Sequence, residues 1–365
     1  NKLKRIAGIS VFKAGESYQG RDIMGIRLLP DLDGYISRTK LMTRNPTLLI
    51  NGRHHANEVS ATNAMLMVLR VLLTERKYQG IANDINIIMI PMENVDGVAI
   101  HYDLQQKNPT WKLHIARYNS LGKEFYRDYY DVKTIHREAL CMRDMYYRWL
   151  PDVFVDNHGV PSHEWEQQFS GYTSPWFKGF WLPRALLYGY YWYVTDPEYS
   201  FNERLNRSWA DSIAIRLLED NEIQKWNEDW RDRHEKYAHR WMPKLFPADY
   251  YKNMINYWVP SQYDPKHGYM AVRFPWITAL SFTSEVADET AQGKYLSLCA
   301  RTQAEHMYAG IDLIKEAVCV YMDSIERKED GLELRAIRKR PMISPEDIKK
   351  KENPRKSIKR RSSCD

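Results

Sequence analysis

The sequence predicts an α/β fold, with a mainly parallel mixed sheet flanked by helices and a large aromatic, partly helical insertion at about residues 160–262. Short apolar runs without strict alternation indicate strands that are covered on both faces. Segments with apolar residues at helical spacing lie between these runs, and this alternation favours parallel pairing with helices on both sides of the sheet. The 365 residues, 44% of them hydrophobic, are enough for one large domain.

Four short segments are rich in Val, Ile, Leu or Phe and are the predicted strands, namely residues 47–51 (TLLIN), 85–90 (INIIMI), 152–156 (DVFVD) and 279–284 (ALSFTS). Three longer segments are the predicted helices, namely residues 60–76, 132–150 and 293–325. The first of these helices starts at Ser60, a residue type that favours a helix N-terminus.

The predicted insertion interrupts this alternation of strands and helices. It contains the aromatic run WFKGFWLPRALLYGYYWYV and then a charged segment with helical spacing. One interpretation is that it covers one end of the sheet and walls a binding cleft. The other is a packed helical subdomain with no role in the site.

The basic character of the chain lies at its end. Residues 335–365 hold twelve Lys or Arg and four Asp or Glu, which leaves 41 basic and 43 acidic residues in the rest. We expect a catalytic domain over residues 1–330 and a basic, solvated and poorly ordered tail over 331–365. A nucleic-acid or anionic-membrane contact by this tail is the alternative, and the near-neutral body argues against nucleic acid as its main partner.

The four cysteines, Cys141, Cys299, Cys319 and Cys364, form no CxxC pair, which argues against a zinc-thiolate site. No apolar run approaches the length of a membrane span. The chain begins at Asn1 without Met, which is consistent with a processed product or an excised domain. The sequence therefore does not determine the cellular compartment.

Ionisable residues follow three of the four predicted strands. GRHHANE follows residues 47–51, NHG follows residues 152–156, and Glu285 follows residues 279–284. In open α/β sheets, ligands bind outside the carboxyl ends of the strands. Residues far apart in the sequence are therefore expected to meet at one edge of the sheet.

A metal site is the chemistry that these residue types favour. Zinc accepts imidazole nitrogen and carboxylate oxygen, and His55 and Glu58 are three residues apart, so both can reach one ion if Glu58 begins a helix. His54 is followed at the same spacing by Asn57, whose amide is a poor zinc ligand, so His54 is expected to be a neighbour of the site. His158 is the predicted third ligand.

Other residues compete for these roles or support them. His163, which is followed by Glu166 at the same spacing as in the first pair, is the rival ligand, but it lies in the predicted insertion. Asp156 precedes His158 by two residues and is expected to orient its imidazole or to bond to backbone. Glu285 is placed to act as a general base if burial raises its pKa, and it is otherwise an exposed residue at a strand end.

These motifs resemble those of the zinc carboxypeptidases, the M14 metallopeptidase family. GRHHANE is similar to the family's G-x-x-H-A-x-E segment, with His55 and Glu58 in the ligand places. VDNHG resembles the strand that delivers the third ligand, here His158, and SFTSEVAD resembles the FTFELRD type of segment with the catalytic glutamate, here Glu285. The segments match in the family's order over about residues 20–320.

Three further segments resemble the same family. GESYQGRDI is similar to the family's entry to the domain, and PMENVDG resembles its P-x-x-N-P-D-G turn, with Val95 in place of proline. ARYNSLGKEFYRDYY is similar to R…G-x-D-L-N-R-N-F, which implies that Arg117 polarises the scissile carbonyl and Arg127 holds the terminal carboxylate of the substrate. Tyr126 stands where the family has asparagine.

The resemblance also implies a mobile tyrosine that closes over the substrate. Tyr263 stands about the family's distance before Glu285, and Tyr269 is its competitor. Met270 stands near the family's specificity position, where an apolar residue favours apolar or aromatic terminal residues of the substrate.

The function implied by the resemblance is that of a zinc metallocarboxypeptidase with one Zn²⁺ per chain and a peptide or protein substrate, and the family favours an extracellular location. Tyr126 and the insertion leave an alternative open: an amidase or endopeptidase on cell-wall or modified peptides. A non-catalytic peptide-binding module is a further alternative, although all three ligands and the base are present.

Overall fold

The computed structural model describes residues 2–31, 37–111, 113–159, 187–233, 236, 249–251, 254–316 and 321–338. Two features of the sequence therefore lie outside the described residues: the rival ligand His163 and the tail from residue 339 onward.

The described residues form one sheet of nine strands and a separate two-stranded hairpin. The strands are β1 (Ile9–Glu16), β2 (Asp22–Leu28), β3 (Thr47–Gly52), β4 (Asn86–Ile90), β5 (Val153–Gly159), β6 (Leu187–Val194), β7 (Asp249–Tyr251), β8 (Met254–Ser261), β9 (Leu280–Val286), β10 (Tyr321–Lys328) and β11 (Gly331–Arg338). The order in the large sheet is β1-β2-β4-β3-β5-β9-β6-β8-β7.

The helices described are α1 (Arg38–Arg44), α2 (Ser60–Thr74), α3 (Ile81–Asp84), α4 (Val95–Lys107), α5 (Arg137–Trp149), α6 (Ser200–Leu218), α7 (Asn221–Arg233), α8 (Met270–Arg273) and α9 (Gly293–Glu316). Short 3₁₀ helices include His114–Arg117 and Tyr126–Tyr130. None of the helices in the described part of the chain is long and apolar enough to span a membrane.

The four predicted strands are confirmed and form the centre of the sheet. Strands β4, β3, β5 and β9 are neighbours and pair in parallel, while antiparallel strands flank them on both sides. Every residue of β3, β4 and β5 is buried. This explains the apolar runs without alternation, because helices cover both faces of these strands.

Two apolar cores lie on the two faces of the sheet. Leu48 and Ile50 pack into the core that includes α2, α6 and α9. Leu49, between them on β3, packs into the second core, which includes α5. Successive residues of a strand point to opposite faces, so this one strand anchors both layers.

The segment predicted as an insertion is partly helical and also extends the sheet. It supplies α6 and α7 and three strands, of which β6 pairs antiparallel with β9. The sequence of β6, LYGYYWYV, is aromatic rather than aliphatic, and the sequence analysis did not identify it as a strand.

Several predicted boundaries differ from the structure. The predicted helix 293–325 ends as α9 at Glu316, and its last residues lie in strand β10. The first residues of the predicted tail form β11, which pairs with β10. The predicted helix 132–150 begins at Arg137.

Buried Asp96 ties the start of the domain to the segment after β4. Its carboxylate accepts hydrogen bonds from the Ser17 hydroxyl at 2.7 Å, the Gln19 amide at 3.0 Å, Arg21 Nη1 at 2.8 Å and the Ser120 hydroxyl at 3.0 Å. Burial alone would raise the pKa of Asp96, but the hydrogen bonds from Ser17 and Arg21 lower it below its usual range. The GESYQGR and VDG motifs thus have a shared structural role.

We predict that Asp96→Asn lowers the free energy of unfolding by about 1–3 kcal/mol at pH 7, because charge-assisted hydrogen bonds are lost. A carboxyl whose pKa is lowered in the folded state stabilises above its unfolded pKa. The difference in unfolding free energy between the wild type and the variant should therefore stay constant from pH 7 to about 5 and shrink below about pH 4. Urea unfolding at several pH values measures it, with exposed Asp103→Asn on the same helix as control. Equal losses in both variants would contradict the prediction.

Candidate metal centre

The chain turns sharply where β3 ends, and this turn gathers the polar residues of GRHHANE. Arg53 has φ +59°, a left-handed conformation that is uncommon for residues other than glycine. His54, His55 and Glu58 follow within five residues, and α2 then begins at Ser60. All three side chains are buried.

His55, Glu58 and His158 meet in one buried cluster, as the sequence analysis expected. His55 Nδ1 lies 2.7 Å from Glu58 Oε1. His158 Nδ1, from the end of β5, lies 3.0 Å from His55 Nδ1 and 3.1 Å from Glu58 Oε2. One potential ligand atom from each of the three side chains therefore lies within 4.8 Å of the other two.

The chemistry of these donors fits a divalent cation. Two imidazole nitrogens and a carboxylate, which lie 2.7–3.1 Å from one another, are a donor set that zinc accepts. A tetrahedral zinc ion with bonds of about 2.0–2.1 Å holds its ligands about 3.3 Å apart, so only a small separation is required. The residues present therefore fit zinc.

A neighbouring carboxylate holds the outer nitrogen of His158, and another lies near that of His55 beyond hydrogen-bonding distance. His158 Nε2 lies 2.9 Å from Asp156 Oδ2, and His55 Nε2 lies 3.7 Å from Glu124 Oε1. Burial alone would lower the pKa of His158, but the charges of Asp156 and Glu58 raise it well above its usual value. Burial and the charge of Arg117 lower the pKa of His55. A carboxylate behind a ligating imidazole fixes its orientation and raises its basicity.

His54 has a different set of partners. Its Nδ1 lies 3.1 Å from Glu93 Oε2, and its Nε2 lies 3.0 Å from Glu124 Oε1. Burial alone would lower the pKa of His54, but Glu93 and Glu124 raise it to about 10. With His55 and Glu124, His54 forms a second group of potential ligands. Because its ring is held as an imidazolium between two carboxylates, His54 is the weaker candidate for binding metal.

Glu285 lies beside His158 on the adjacent strand. The two residues are in register between β5 and β9, so their side chains lie on the same side of the sheet. Glu285 is half-buried at the end of β9, whereas the five residues before it are buried. The carboxylate is thus next to the cluster and still accessible.

Arg117 lies beside the cluster, in the 3₁₀ helix His114–Arg117. Its Nη1 lies 3.4 Å from Glu58 Oε1. Burial alone would lower the pKa of Arg117, but the charges of Glu58, Glu289, Glu124 and Glu285 raise it. The Arg117 guanidinium therefore stays charged, and Glu285 is one of the carboxylates that interact with it electrostatically.

Tyr126 and Arg127 lie at the edge of the site. Arg127 is exposed, and its Nε donates a hydrogen bond of 3.0 Å to the Tyr126 hydroxyl. The Tyr126 ring packs 6.4 Å from the His54 ring and 5.8 Å from the Tyr269 ring, measured between centroids. Tyr126 thus joins the arginine to the polar cluster in the place where the family has asparagine.

Of the two candidate tyrosines, Tyr269 is the one that the structure places beside charged groups of the site. Burial and the charges of Asp156 and Glu285 raise the pKa of Tyr269 well above its usual value. Tyr263 is 48% exposed, and its ring lies 5.5 Å from that of Trp276. Met270, 2% exposed, belongs to the core that includes α5 rather than to an open pocket.

The sequence analysis missed four buried or half-buried groups around the cluster: Glu93, Glu124, Tyr129 and Asp288. Asp288 Oδ2 accepts a hydrogen bond of 2.6 Å from the Ser60 amide at the start of α2, and burial raises the pKa of Asp288 to about 7. Glu93 lies in the segment PMENVDG and Glu124 in the segment ARYNSLGKEFYRDYY. Their positions in these two family-like segments could have identified them as candidates.

The family model of the zinc carboxypeptidases, the M14 peptidases, matches residues 5–173. The first part of the chain is thus similar to the M14 zinc carboxypeptidases, and residues 174–365 lie outside the match. The match includes the GRHHANE segment and His158, which supply the three residues of the buried cluster. No curated protein matches the sequence.

Solved structures share the fold of this chain at low sequence identity. One, provisionally named a carboxypeptidase A, is from Shewanella denitrificans; it is 15% identical with a TM-score of 0.54, over 86% of this chain and 67% of that one. Another is a metallo-carboxypeptidase from Pseudomonas aeruginosa in complex with (2-guanidinoethylmercapto)succinic acid, 16% identical with a TM-score of 0.51, over 86% of this chain and 66% of that one. The matched region is thus about two thirds of the length of these structures.

We predict that Glu93→Ala lowers the free energy of unfolding by about 3–5 kcal/mol, because the buried His54 imidazolium loses one of its two carboxylate partners. The Tyr129 hydroxyl, which donates to Glu93 Oε1 at 2.7 Å, also loses its acceptor. Chemical denaturation measures the change. Exposed Glu75→Ala is the matched control, and a loss no larger than that of the control would contradict the role of Glu93.

Proposed function

We propose that this chain is a zinc-dependent metallocarboxypeptidase that hydrolyses the C-terminal peptide bond of peptides. The observation that carries the proposal is the buried meeting of His55 Nδ1, His158 Nδ1 and the Glu58 carboxylate, with Glu285 next to His158 in the sheet register. These three side chains would hold one Zn²⁺ and leave a fourth position open. The matching family supports zinc as the metal.

A zinc ion bound there would supply a Lewis acid that polarises the scissile carbonyl and makes water a better nucleophile. Glu285 would hold the attacking water by a hydrogen bond and accept its proton at a carboxylate oxygen. The same oxygen would then deliver that proton to the leaving amine nitrogen. Its half-buried position beside His158 supports this role.

Arg117 would stabilise the negative charge that develops on the carbonyl oxygen. Its pKa is raised by the surrounding carboxylates, so it carries a full charge at neutral pH. A fixed cation next to the reacting centre stabilises the transition state more than the uncharged ground state. Nearby buried Glu289 is one of the groups that keep this side chain charged.

Arg127 and Tyr126 would bind the free carboxylate at the end of the substrate. A guanidinium can donate two parallel hydrogen bonds to a carboxylate. The Tyr126 hydroxyl already accepts from Arg127 Nε and would share in that contact. Tyr269 is the better supported tyrosine for closing over the substrate, with Tyr263 as the alternative on the sequence spacing.

A second candidate function keeps the metal site and changes the substrate. Arg127 is exposed and bonded to Tyr126, and the asparagine that the family pairs with this arginine is absent. These two observations favour an amidase or endopeptidase on cell-wall or modified peptides, which would not need a free carboxylate.

We predict that His55→Gln loses its zinc and that His54→Gln keeps about one zinc per chain, because the His54 nitrogens are held by Glu93 and Glu124. Metal analysis of the folded proteins after dialysis, with circular dichroism as a check on folding, measures this. Loss of zinc from the His54 variant as well would move the metal to the second group of ligands, which His54 and His55 share with Glu124. Retention of zinc by the His55 variant would exclude both groups.

We predict that Glu285→Gln keeps its zinc and lowers kcat/KM for peptide hydrolysis by about 10²–10⁴-fold, the usual loss for a general base. Glutamine retains the size of the side chain and cannot accept the proton. Exposed Glu75→Gln serves as the matched control. Unchanged activity with normal zinc content would exclude Glu285 as the base.

We predict that a peptide with a free C-terminal carboxylate is hydrolysed at least about 100-fold faster than its amidated twin, since two charge-assisted hydrogen bonds depend on that carboxylate. Arg127→Leu should remove most of this preference. Hydrolysis of both peptides at equal rates by the wild type would reject the carboxypeptidase assignment in favour of the amidase or endopeptidase.

A further inference from the structure

A second cavity, separate from the metal cluster, lies between α2, α4 and the start of α9. It has a volume of about 500 Å³. Its walls include Arg53, Asn63, His101, Gln105, Gln106 and Gln292. The lining does not include any of the three metal-cluster residues, and it does not include Arg117, Glu124 or Glu285. The cavity is therefore not part of the site proposed for the peptide.

Two buried side chains in the cavity wall have hydrogen-bonding atoms that no described residue satisfies. Arg53 is 8% exposed and His101 is 3% exposed. Arg53 Nη2 donates to the Ala56 carbonyl, but Arg53 Nε and His101 Nε2 have no partner in the described part of the chain. Buried polar groups are normally hydrogen-bonded, so a polar ligand or water in this cavity would satisfy both atoms.

The charge of the cavity wall indicates the sign of the charge that a ligand would carry. Arg53 is the charged residue in the lining, and no acidic residue is among the described residues that line it. A guanidinium stays charged at neutral pH, so Arg53 gives this wall a positive charge. Burial and the charge of Arg53 lower the pKa of His101 to about 4, so His101 is neutral there and can donate a hydrogen bond without adding charge. Asp288 and Glu58 interact with Arg53 from outside the lining, and the charge that the described lining itself presents is positive.

Neutral hydrogen-bond donors complete the lining. The side chains of Asn63, Gln105 and Gln106 each carry an amide that can donate. The 24-residue helix α9 begins at Gly293 in the same wall, and the N-terminus of a helix carries partial positive charge and backbone N–H groups without intrahelical partners. Together with Arg53, these groups form the kind of environment that binds anions.

We propose that this cavity binds the anionic group of a small molecule, a carboxylate or a phosphate, at the Arg53 guanidinium with His101 as a second donor. The inference goes beyond the proposed peptidase activity and does not depend on it. Arg53 lies two residues before His55, so an anion held there would contact the same turn that positions the metal cluster.

Isothermal titration calorimetry on the zinc-loaded full chain tests this, with inorganic phosphate in one arm and acetate in the other. We expect one site for at least one of the two anions. Gln105→Glu should weaken binding at least about 10-fold, because a carboxylate placed in the wall repels the anion. Gln79→Glu, the same chemical change at an exposed position that does not line this cavity, should leave the affinity unchanged.

The comparison of phosphate with acetate distinguishes the two kinds of anion site, and a second variant tests the role of Arg53. Tighter binding of phosphate would identify a phosphate site, and tighter binding of acetate a carboxylate site. Arg53→Gln should also weaken binding while the chain stays folded by circular dichroism. Absence of binding of both anions, or equal affinities for the Gln105→Glu and Gln79→Glu variants, would overturn the proposal, since any remaining anion binding would then lie elsewhere.

Discussion

Parallel pairing of β3, β5 and β9 is the constraint on which the rest of the structure depends. The three strands run side by side in one register, so their carboxyl ends meet at one edge of the sheet. This brings together the turn after β3, His158 at the end of β5 and Glu285 at the end of β9. A shift of one residue in either pairing would turn His158 or Glu285 to the opposite face. The buried apolar residues on both faces of β3 resist such a shift.

This arrangement buries charged side chains, which is unfavourable, and a connected network of hydrogen bonds compensates for it. The Asn51 side-chain amide donates to Glu93 at 2.6 Å and to Asp156 at 3.0 Å, and so links the partner of His54 to the partner of His158. Such networks stabilise a structure only when every polar group in them has a hydrogen-bond or ion-pair partner, because an unpaired buried charge is strongly destabilising. The two adjacent histidines consequently have separate roles: His54 belongs to this supporting network, and His55 faces Glu58 and His158.

Much of this could be predicted from the sequence, for reasons that particular residues show. The central strands were identifiable because strands buried on both faces are continuous apolar runs. His55, Glu58, His158 and Glu285 stood out because their chemistry falls at the ends of such runs. Strand β6 was missed because LYGYYWYV is aromatic and lies in a segment without the regular alternation. Glu124 was missed because its contacts with His54 and His55 bridge about 70 residues of sequence and follow no spacing rule.

An anomalous difference map at the zinc absorption edge, from crystals of the zinc-loaded chain, tests the central claim most directly. The account predicts one peak at about 2.0–2.2 Å from Nδ1 of His55, Nδ1 of His158 and a carboxylate oxygen of Glu58. A peak bound instead by His54 and Glu124 would contradict it, because His54 would then be a ligand and the supporting network would be the metal site. The same contradiction would follow from a map with no peak among these side chains.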